Sequence, residues 1–115
     1  MYRYNKFNNT KVEVDGIKFD SKKESERYLE LKLLEKDGII KNLVLQPKFI
    51  LQNKYEYRGQ KIREIDYKAD FMYELDNETI VEDVKSWITQ KDKVYRLKKK
   101  LLLFRYPDIK FIEVL

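Results

Sequence analysis

The first third of the chain alternates between two hydrophobic periods, and each period predicts a different element. Residues 12–19 alternate apolar and polar around an Asp-Gly pair, which is typical of the turn of a β-hairpin. Residues 21–24 then have the Ser-x-x-Glu spacing of a helix start, and leucines at helical spacing continue to Asp37, where Gly38 ends the pattern. The chain is therefore predicted to open with a small β-hairpin followed by a helix.

The middle of the chain predicts strands. Residues 43–51 are apolar but are interrupted by Pro47, which is typical of an edge or bulged strand, and residues 55–57 continue it to an Arg-Gly turn. Residues 67–75 and 79–85 flank Asp76-Asn77, and these residue types tolerate the left-handed conformations of a tight turn. We therefore expect a second hairpin with Asp76 and Asn77 at its centre.

The last third predicts a helix and a closing strand. Its apolar residues recur at helical spacing and indicate a face that packs in the core, with a basic face opposite. These residues are Val94, Leu97, Leu101 and Phe104. Pro107 then breaks the chain, and residues 109–114 predict the final strand. A chain of 115 residues is long enough for one core. We expect residues 1–11, which are polar and basic, to form a flexible arm, and residues 12–115 to form a single domain.

The second hairpin places a candidate site on one face. Side chains alternate along a strand, so Asp83 and Lys85 project to the same side. Counting back from the predicted turn sets Asp70 directly opposite Asp83. Like charges in that position destabilise a sheet, so the pair favours a compensating cation such as a divalent metal. The same register opposes Lys68 to Lys85, however, and diagonal lysine–aspartate pairs would neutralise this face without metal.

The other face of the same hairpin is expected to be apolar and to pack against helices. Its predicted pairs are Ala69 with Val84, Phe71 with Glu82, and Tyr73 with Ile80. Glu82 is the exception on this face. Because it points away from Lys85, we expect Asp83 to be the ligand and Glu82 to lie at an edge or to support the site.

The absence of Cys and His limits the catalytic chemistry that the chain could perform. The chain contains no Cys and no His, which excludes disulfides, thiol nucleophiles, cysteine-bound zinc and imidazole bases. Catalysis would have to use Asp, Glu, Lys or Tyr. No apolar run approaches the roughly 20 residues of a membrane span, and the basic start lacks the apolar stretch of a signal peptide. We expect a cytoplasmic protein.

Positive charge is concentrated near the predicted second helix. The net charge of the chain is +5, and residues 85–106 carry eight basic residues against one acidic residue, a net +7. Such a face suits the phosphates of a nucleic acid, and a solvated lysine face is the alternative. The candidate phosphate-binding residues are Lys91, Lys93, Arg96, Lys99 and Lys100.

The order of elements and four short segments resemble the PD-(D/E)XK nuclease superfamily, with its restriction-endonuclease-like α/β fold. The resemblance implies an αβββαβ core, with a central mixed sheet flanked by helices, after the N-terminal hairpin. The segments are 19–24 (FDSKKE), 45–49 (LQPKF), 67–71 (YKADF) and 81–85 (VEDVK). Together they are similar to a family of small phage and prophage domains in that superfamily. Ala69 departs from the superfamily's usual proline.

The resemblance implies a set of site residues. Asp70, Asp83 and Glu24 would bind Mg²⁺, with Mn²⁺ able to substitute, and Lys85 would orient the attacking water or offset charge on the phosphate. Further residues are candidates for lining the site. They are Gln46, Lys68, Glu82 and Trp87. Glu24 has the alternative role of completing a capping box, and Gln46 that of a plain strand residue before Pro47.

The implied activity is that of a Mg²⁺-dependent endonuclease acting on DNA, in phage recombination, repair or processing, with a structure-specific, Holliday-junction-resolvase-like enzyme as one form. Phage replication or recombination proteins would be its partners, and a homodimer is compatible with cutting two strands. The alternative is a catalytically silent nucleic-acid-binding or assembly module on the same fold. A structural domain with merely solvated charges accounts for the composition but not for the placement of the carboxylates.

Overall fold

The structure is a computed structural model that describes residues 11–115, so the predicted arm of residues 1–11 lies outside the described residues except for Lys11. The helices are α1 (Lys22–Lys36), α2 (Trp87–Gln90) and α3 (Lys93–Arg105). The strands are β1 (Val12–Val14), β2 (Ile17–Phe19), β3 (Lys41–Leu45), β4 (Lys48–Gln52), β5 (Tyr55–Tyr57), β6 (Gln60–Ile62), β7 (Ile65–Lys68), β8 (Phe71–Leu75), β9 (Glu78–Val84) and β10 (Lys110–Val114).

Helix α1 begins and ends where the sequence predicts. The extended backbone of Ser21 lets its hydroxyl accept a hydrogen bond from the N–H of Glu24 at 3.1 Å. At the other end Gly38 has φ +76°, a left-handed conformation that favours glycine, and the N–H of Ile39 donates to the carbonyl of Leu34 at 2.9 Å. The prediction of a helix closed by Gly38 is confirmed.

A mixed four-stranded sheet forms the centre of the molecule, in the order β10-β9-β8-β3. Strand β8 is antiparallel to both of its neighbours, whereas β10 is parallel to β9. Parallel neighbours need a crossover connection, and α2 and α3 lie in the one between β9 and β10. The predicted α/β class with a central mixed sheet and helices is confirmed.

The strand predicted over residues 43–51 is divided in two. Gln46 has φ +50°, and Pro47 follows it, so the chain leaves β3, which pairs with β8, and enters β4, which pairs with β7. Strands β5 and β6 then pair across the Arg58-Gly59 turn. The interruption at Pro47 and this turn were predicted, whereas β6 was not.

The two main helices cover opposite faces of the sheet. Successive residues of β9 point to opposite sides, and Ile80 belongs to one buried cluster while Val81 belongs to the other. Tyr28 and Leu31 of α1 pack with Ile80. Residues of α3 pack with Val81 on the other side. The central sheet is therefore buried on both faces.

Helix α3 packs through a different face from the predicted one. Tyr95 and Leu102, one heptad apart, are buried, and the Tyr95 ring lies 6.3 Å from that of Tyr67. The prediction that the four apolar residues at helical spacing face the core is wrong. Val94, Leu97, Leu101 and Phe104 are exposed. The amphipathic aromatic Tyr95, whose hydroxyl finds a partner inside, decides the orientation of the helix in place of the leucines.

Within residues 11–115, no helix is sufficiently long and apolar to cross a membrane.

Candidate active site

A β-bulge at Asp70 sets the geometry of the site. The register from Leu75 opposite Glu78 to Phe71 opposite Glu82 is as predicted. The N–H of Asp70, however, also donates to the carbonyl of Glu82, at 3.1 Å, so two consecutive residues face one. The prediction that Asp70 lies directly opposite Asp83 is therefore wrong.

The bulge also changes which way the neighbouring side chains face. Ala69 packs in the cluster on the α3 side, whereas Phe71 packs in the cluster on the α1 side. The predicted common face for Ala69 and Phe71 is thus wrong, because the bulge interrupts the two-residue alternation.

Asp70 is held in place by its neighbours on both sides. Its Oδ2 accepts a hydrogen bond from the N–H of Val84 at 2.7 Å, and its carbonyl accepts one from the N–H of Gln46 at 2.9 Å. Gln46 therefore contributes its backbone to the site, while its side chain is exposed. The left-handed conformation of Gln46, at φ +50°, belongs to the bend that brings this N–H to Asp70.

A cleft of about 300 Å³ lies at this point, between the start of α1, the bulge and the start of α2. Of the predicted site residues, Glu24, Asp70 and Lys85 line it. The residues that line it are Asp20, Ser21, Lys23, Glu24, Asp70, Val84, Lys85, Ser86 and Thr89. We call this the carboxylate cleft. Asp20 and Thr89 are lining residues that the sequence reasoning missed.

Glu24 is a buried acid in a negative environment. Burial raises its pKa to about 7, and the negative charges of Asp70, Asp20 and Asp83 contribute to the rise. Burial also raises the pKa of Asp70, against the opposing effects of the Val84 N–H and Lys85. The Ser21 hydroxyl caps α1 by accepting a hydrogen bond from the Glu24 N–H. The Glu24 carboxyl interacts with Asp70.

Asp83 is 1 % exposed and is not among the residues that line the carboxylate cleft, although its ion-pair partner Lys85 is. Burial raises its pKa to about 6, although Lys85 opposes the shift. Lys85 Nζ lies 3.3 Å from Asp83 Oδ2, within ion-pair distance, yet within residues 11–115 no hydrogen bond of good geometry reaches that oxygen. Lys85 is therefore the ion-pair partner of a buried carboxylate oxygen.

Tyr95 and Glu113 support Lys85 from the α3 side. The Lys85 ammonium lies 4.5 Å from the centre of the Tyr95 ring, a cation–π contact. The Tyr95 hydroxyl donates to Glu113, which stands beside Asp83 in the parallel pairing of β10 with β9. The sequence reasoning missed both residues, because the register of β10 depends on the crossover through α3 and not on local spacing.

Glu82 lies in the interior, on the α1 face. It is completely buried and accepts two hydrogen bonds from Arg27, at 2.7 Å from Nε and 2.6 Å from Nη2, while the Tyr73 hydroxyl also donates to it. The expectation that Glu82 points away from Lys85 holds. Glu82 is not among the residues that line the carboxylate cleft.

Lys68 and Trp87 both lie outside the paired residues of β8 and β9. Lys68 lies in β7, which pairs with β4, and the register of β8 with β9 ends at Phe71 opposite Glu82, so the predicted pairing of Lys68 with Lys85 is wrong. Strand β9 ends at Val84, and Ser86 caps α2, which starts at Trp87. Trp87 is therefore not part of β9. Lys68 and Lys85 do line one groove, of about 440 Å³, which also includes Thr89 of the carboxylate cleft.

The candidate phosphate-binding residues differ in their surroundings. Lys93, Arg96 and Lys100 are exposed on α3. Lys99 instead lies with its Nζ 3.0 Å from Glu113 Oε1 and 5.4 Å from the Phe111 ring centre, so its charge is already engaged. Lys91 is exposed and follows α2 at its C-terminal cap.

The carboxylates of the cleft are chemically suited to binding a metal ion, but they are not arranged as a metal site. In the described part of the chain, no group of three or more acidic residues has the arrangement of a metal site. The donors at the cleft are nevertheless carboxylate oxygens, which hard cations such as Mg²⁺ prefer. The raised pKa of Glu24, to which the negative charges of Asp70, Asp20 and Asp83 contribute, indicates a site that a cation would stabilise.

Comparison with known proteins places the chain in a family. A family model described as "Protein of unknown function (DUF1064)" matches residues 4–115, and the chain belongs to this family. Searches of curated proteins and of solved structures found no match.

The raised pKa values predict how stability depends on pH. The pKa of Glu24 is raised from 4.5 to about 7, so the folded chain binds more protons than the unfolded chain in that interval. The free energy of unfolding should therefore fall as pH rises through it. The lowered pKa values of Glu35 and Glu113 act in the opposite direction, but below the ordinary glutamate pKa.

Urea unfolding at about pH 5 and about pH 8 checks this expectation, with lower stability at the higher pH. Glu24→Gln removes one titrating group and should flatten the profile. Equal slopes for the variant and the wild-type chain would show that Glu24 titrates normally in the folded protein.

Proposed function

We propose that this chain is a Mg²⁺-dependent nuclease of the PD-(D/E)XK type that hydrolyses phosphodiester bonds in DNA. The single observation that carries the proposal is the convergence of Asp70, Glu24 and Lys85 on one cleft, with Lys85 paired to the buried Asp83. These carboxyls come from separate elements, so their proximity is a tertiary feature. Such a concentration of buried like charge costs stability, which favours a functional role for it.

The order of elements supports the same assignment. Leaving aside the N-terminal hairpin, the β5–β6 hairpin and the short α2, the chain runs through α1, the interrupted strand β3–β4, the interrupted strand β7–β8, then β9, α3 and β10. This is the αβββαβ order of the superfamily. The acidic residues fall at the start of β8 and near the end of β9, and Lys85 follows directly after β9.

Asp70 and Asp83, with Glu24, are the residues that would hold the metal. When bound, Mg²⁺ would act as a Lewis acid and stabilise negative charge on the phosphoryl group in the transition state. Asp83 offers a buried carboxylate paired with Lys85, and Asp70 is oriented by the Val84 N–H. Lys85, positioned by Asp83 and the Tyr95 ring, would offset developing charge on the phosphate or orient the attacking water.

DNA would approach along the groove that joins the carboxylate cleft to α3. That groove is lined by Lys68, Lys85 and Lys98, and it shares Lys85 and Thr89 with the cleft. The exposed cations of α3 would extend the contact with phosphates. Binding through such contacts should weaken steeply with salt. A role in phage DNA recombination, repair or processing fits this activity.

Lys85→Ala tests the assignment of the lysine. We expect single-turnover cleavage to fall by about 10²–10³-fold, because charge stabilisation at the phosphate is lost. The Kd for DNA, measured by fluorescence anisotropy, should change little because several cations share the binding. Lys61→Ala, an exposed lysine in β6, is the matched control and should retain the wild-type rate. Full activity in Lys85→Ala would refute the role of Lys85.

A catalytically silent nucleic-acid-binding or assembly module is the second candidate. The observation that favours it is that residues 11–115 contain no group of three acidic residues arranged as a metal site. This candidate predicts DNA binding that is unaffected by Mg²⁺ and no cleavage at any protein concentration.

A further inference from the structure

Helix α3 carries an apolar stripe on the surface of the molecule. The stripe consists of Val94, Leu97, Leu101 and Phe104, which are 62 %, 59 %, 37 % and 85 % exposed. Their spacing of three, four and three residues places them on one side of the helix. Four large apolar side chains in a continuous row differ from the isolated exposed leucines of an ordinary surface. We call this row the α3 stripe.

The spacing of the stripe is that of positions a and d in a coiled-coil heptad, and the charges beside it are of one sign. The positions that flank an a/d row, e and g, are all cationic here. They are Lys93, Lys98, Lys100 and Arg105. In helix pairs the residues at e and g meet those of the partner helix, so they select its charge.

We propose that the α3 stripe binds an amphipathic helix of another protein, with apolar residues at its a and d positions and Glu or Asp at the flanking positions. The apolar row gives the affinity by burial, and the four cations give the choice of partner. The proposal does not rest on the nuclease activity. A partner of this kind would tether the chain to a larger assembly.

Charge argues against the two occupants that this chain itself provides. In a pair of α3 helices from two copies, the flanking lysines and arginine would face one another, and like charges destabilise such a pair. The first ten residues of the sequence include Arg3 and Lys6 but no acidic residue, so they cannot match the cations beside the stripe. Neither of these two occupants therefore supplies the complementary charge.

The test uses the full chain and two designed peptides of about 21 residues, three heptads long. Both carry leucine at a and d, and they differ only in Glu or Lys at e and g. We expect the Glu peptide to bind in fluorescence anisotropy and the Lys peptide not to bind. Leu97→Ser should weaken binding at least about tenfold, since it removes a leucine from the interface.

Leu33→Ser is the matched control, because Leu33 on α1 has the same exposed fraction as Leu97, 59 %. It should bind the Glu peptide as the wild-type chain does. Failure of the Glu peptide to bind, or equal binding of both peptides, would overturn the proposal. A wild-type dimer in sedimentation that Leu97→Ser dissociates would also overturn it, because the stripe would then bind a second copy. An equal loss of affinity for duplex DNA in Leu97→Ser would overturn it too, because the stripe would then bind nucleic acid.

Discussion

Asp83→Asn is expected to abolish metal-dependent cleavage of DNA while leaving the fold as stable as that of the wild-type chain or more stable. The loss follows because the substitution removes the charge of the most deeply buried carboxylate in the candidate site. The stability follows because burial raises the pKa of Asp83 to about 6, which means that the ionised form is costly in the folded chain. At pH above that value the neutral amide should add on the order of 1 kcal/mol.

Asp76→Asn is the control for this substitution, since it makes the same chemical change in the turn of the same hairpin. Asp76 is exposed and has φ +50°, a conformation that Asn adopts readily. It should alter neither cleavage nor stability. Cleavage at the wild-type rate by the Asp83→Asn variant would show that Asp83 is not part of the active site. A variant that loses both activity and stability would indicate that Asp83 is needed for the fold.

Glu82→Ala should be the most destabilising single substitution that we predict, with a loss of about 3–5 kcal/mol in the free energy of unfolding. Glu82 is fully buried, and its two oxygens accept hydrogen bonds from Arg27 and from the Tyr73 hydroxyl. Truncation leaves the guanidinium of Arg27 without its buried partner, and the ion pair that remains, with Glu30 at 3.8 Å, is exposed. Arg27 is itself only 23 % exposed at the side chain, so water compensates poorly.

The double variant Arg27→Met/Glu82→Met separates the worth of the ion pair from the cost of breaking it. Replacing both partners by apolar residues of similar volume is often neutral. We therefore expect the double variant to regain most of the stability that Glu82→Ala loses, as measured by urea unfolding. A double variant as unstable as the single one would mean that the ion pair itself contributes strongly to the fold.

Local patterns predicted most of the elements. The Asp76-Asn77 turn fixed the register from Leu75 to Phe71, because side chains and pairs are counted directly from a two-residue turn. The counting failed at Asp70, where the bulge inserts an extra residue. At the bulge the Asp70 carbonyl accepts a hydrogen bond from the Gln46 N–H, and the Asp70 N–H donates to the Glu82 carbonyl. Gln46 lies far from Asp70 along the chain, so local spacing does not predict this contact.

Helix α3 shows a second limit of periodicity. The row of Val94, Leu97, Leu101 and Phe104 has the stronger apolar pattern, yet Tyr95 and Leu102 are the buried residues. A tertiary hydrogen bond from Tyr95 to Glu113 favours the observed face, and no local signal contains it. The exposed apolar row, the α3 stripe, is the basis of the partner-binding inference.

The candidate site was partly predictable. Parity alone placed Asp83 and Lys85 on one face, and they lie within ion-pair distance. The resemblance added Glu24, which lines the cleft with Asp70. Asp20, Tyr95 and Glu113 could not be predicted, because their positions depend on how α1, α3 and β10 meet the sheet.

The most direct test of the nuclease proposal is cleavage of labelled linear, single-stranded, flapped and four-way-junction DNAs in Mg²⁺ or Mn²⁺, with EDTA as the metal-free control. The proposal predicts cutting of at least one of these DNAs that EDTA stops and that Asp83→Ala lacks. Binding of these DNAs without any cutting, in either metal, would contradict it and would identify the chain as a silent nucleic-acid-binding module.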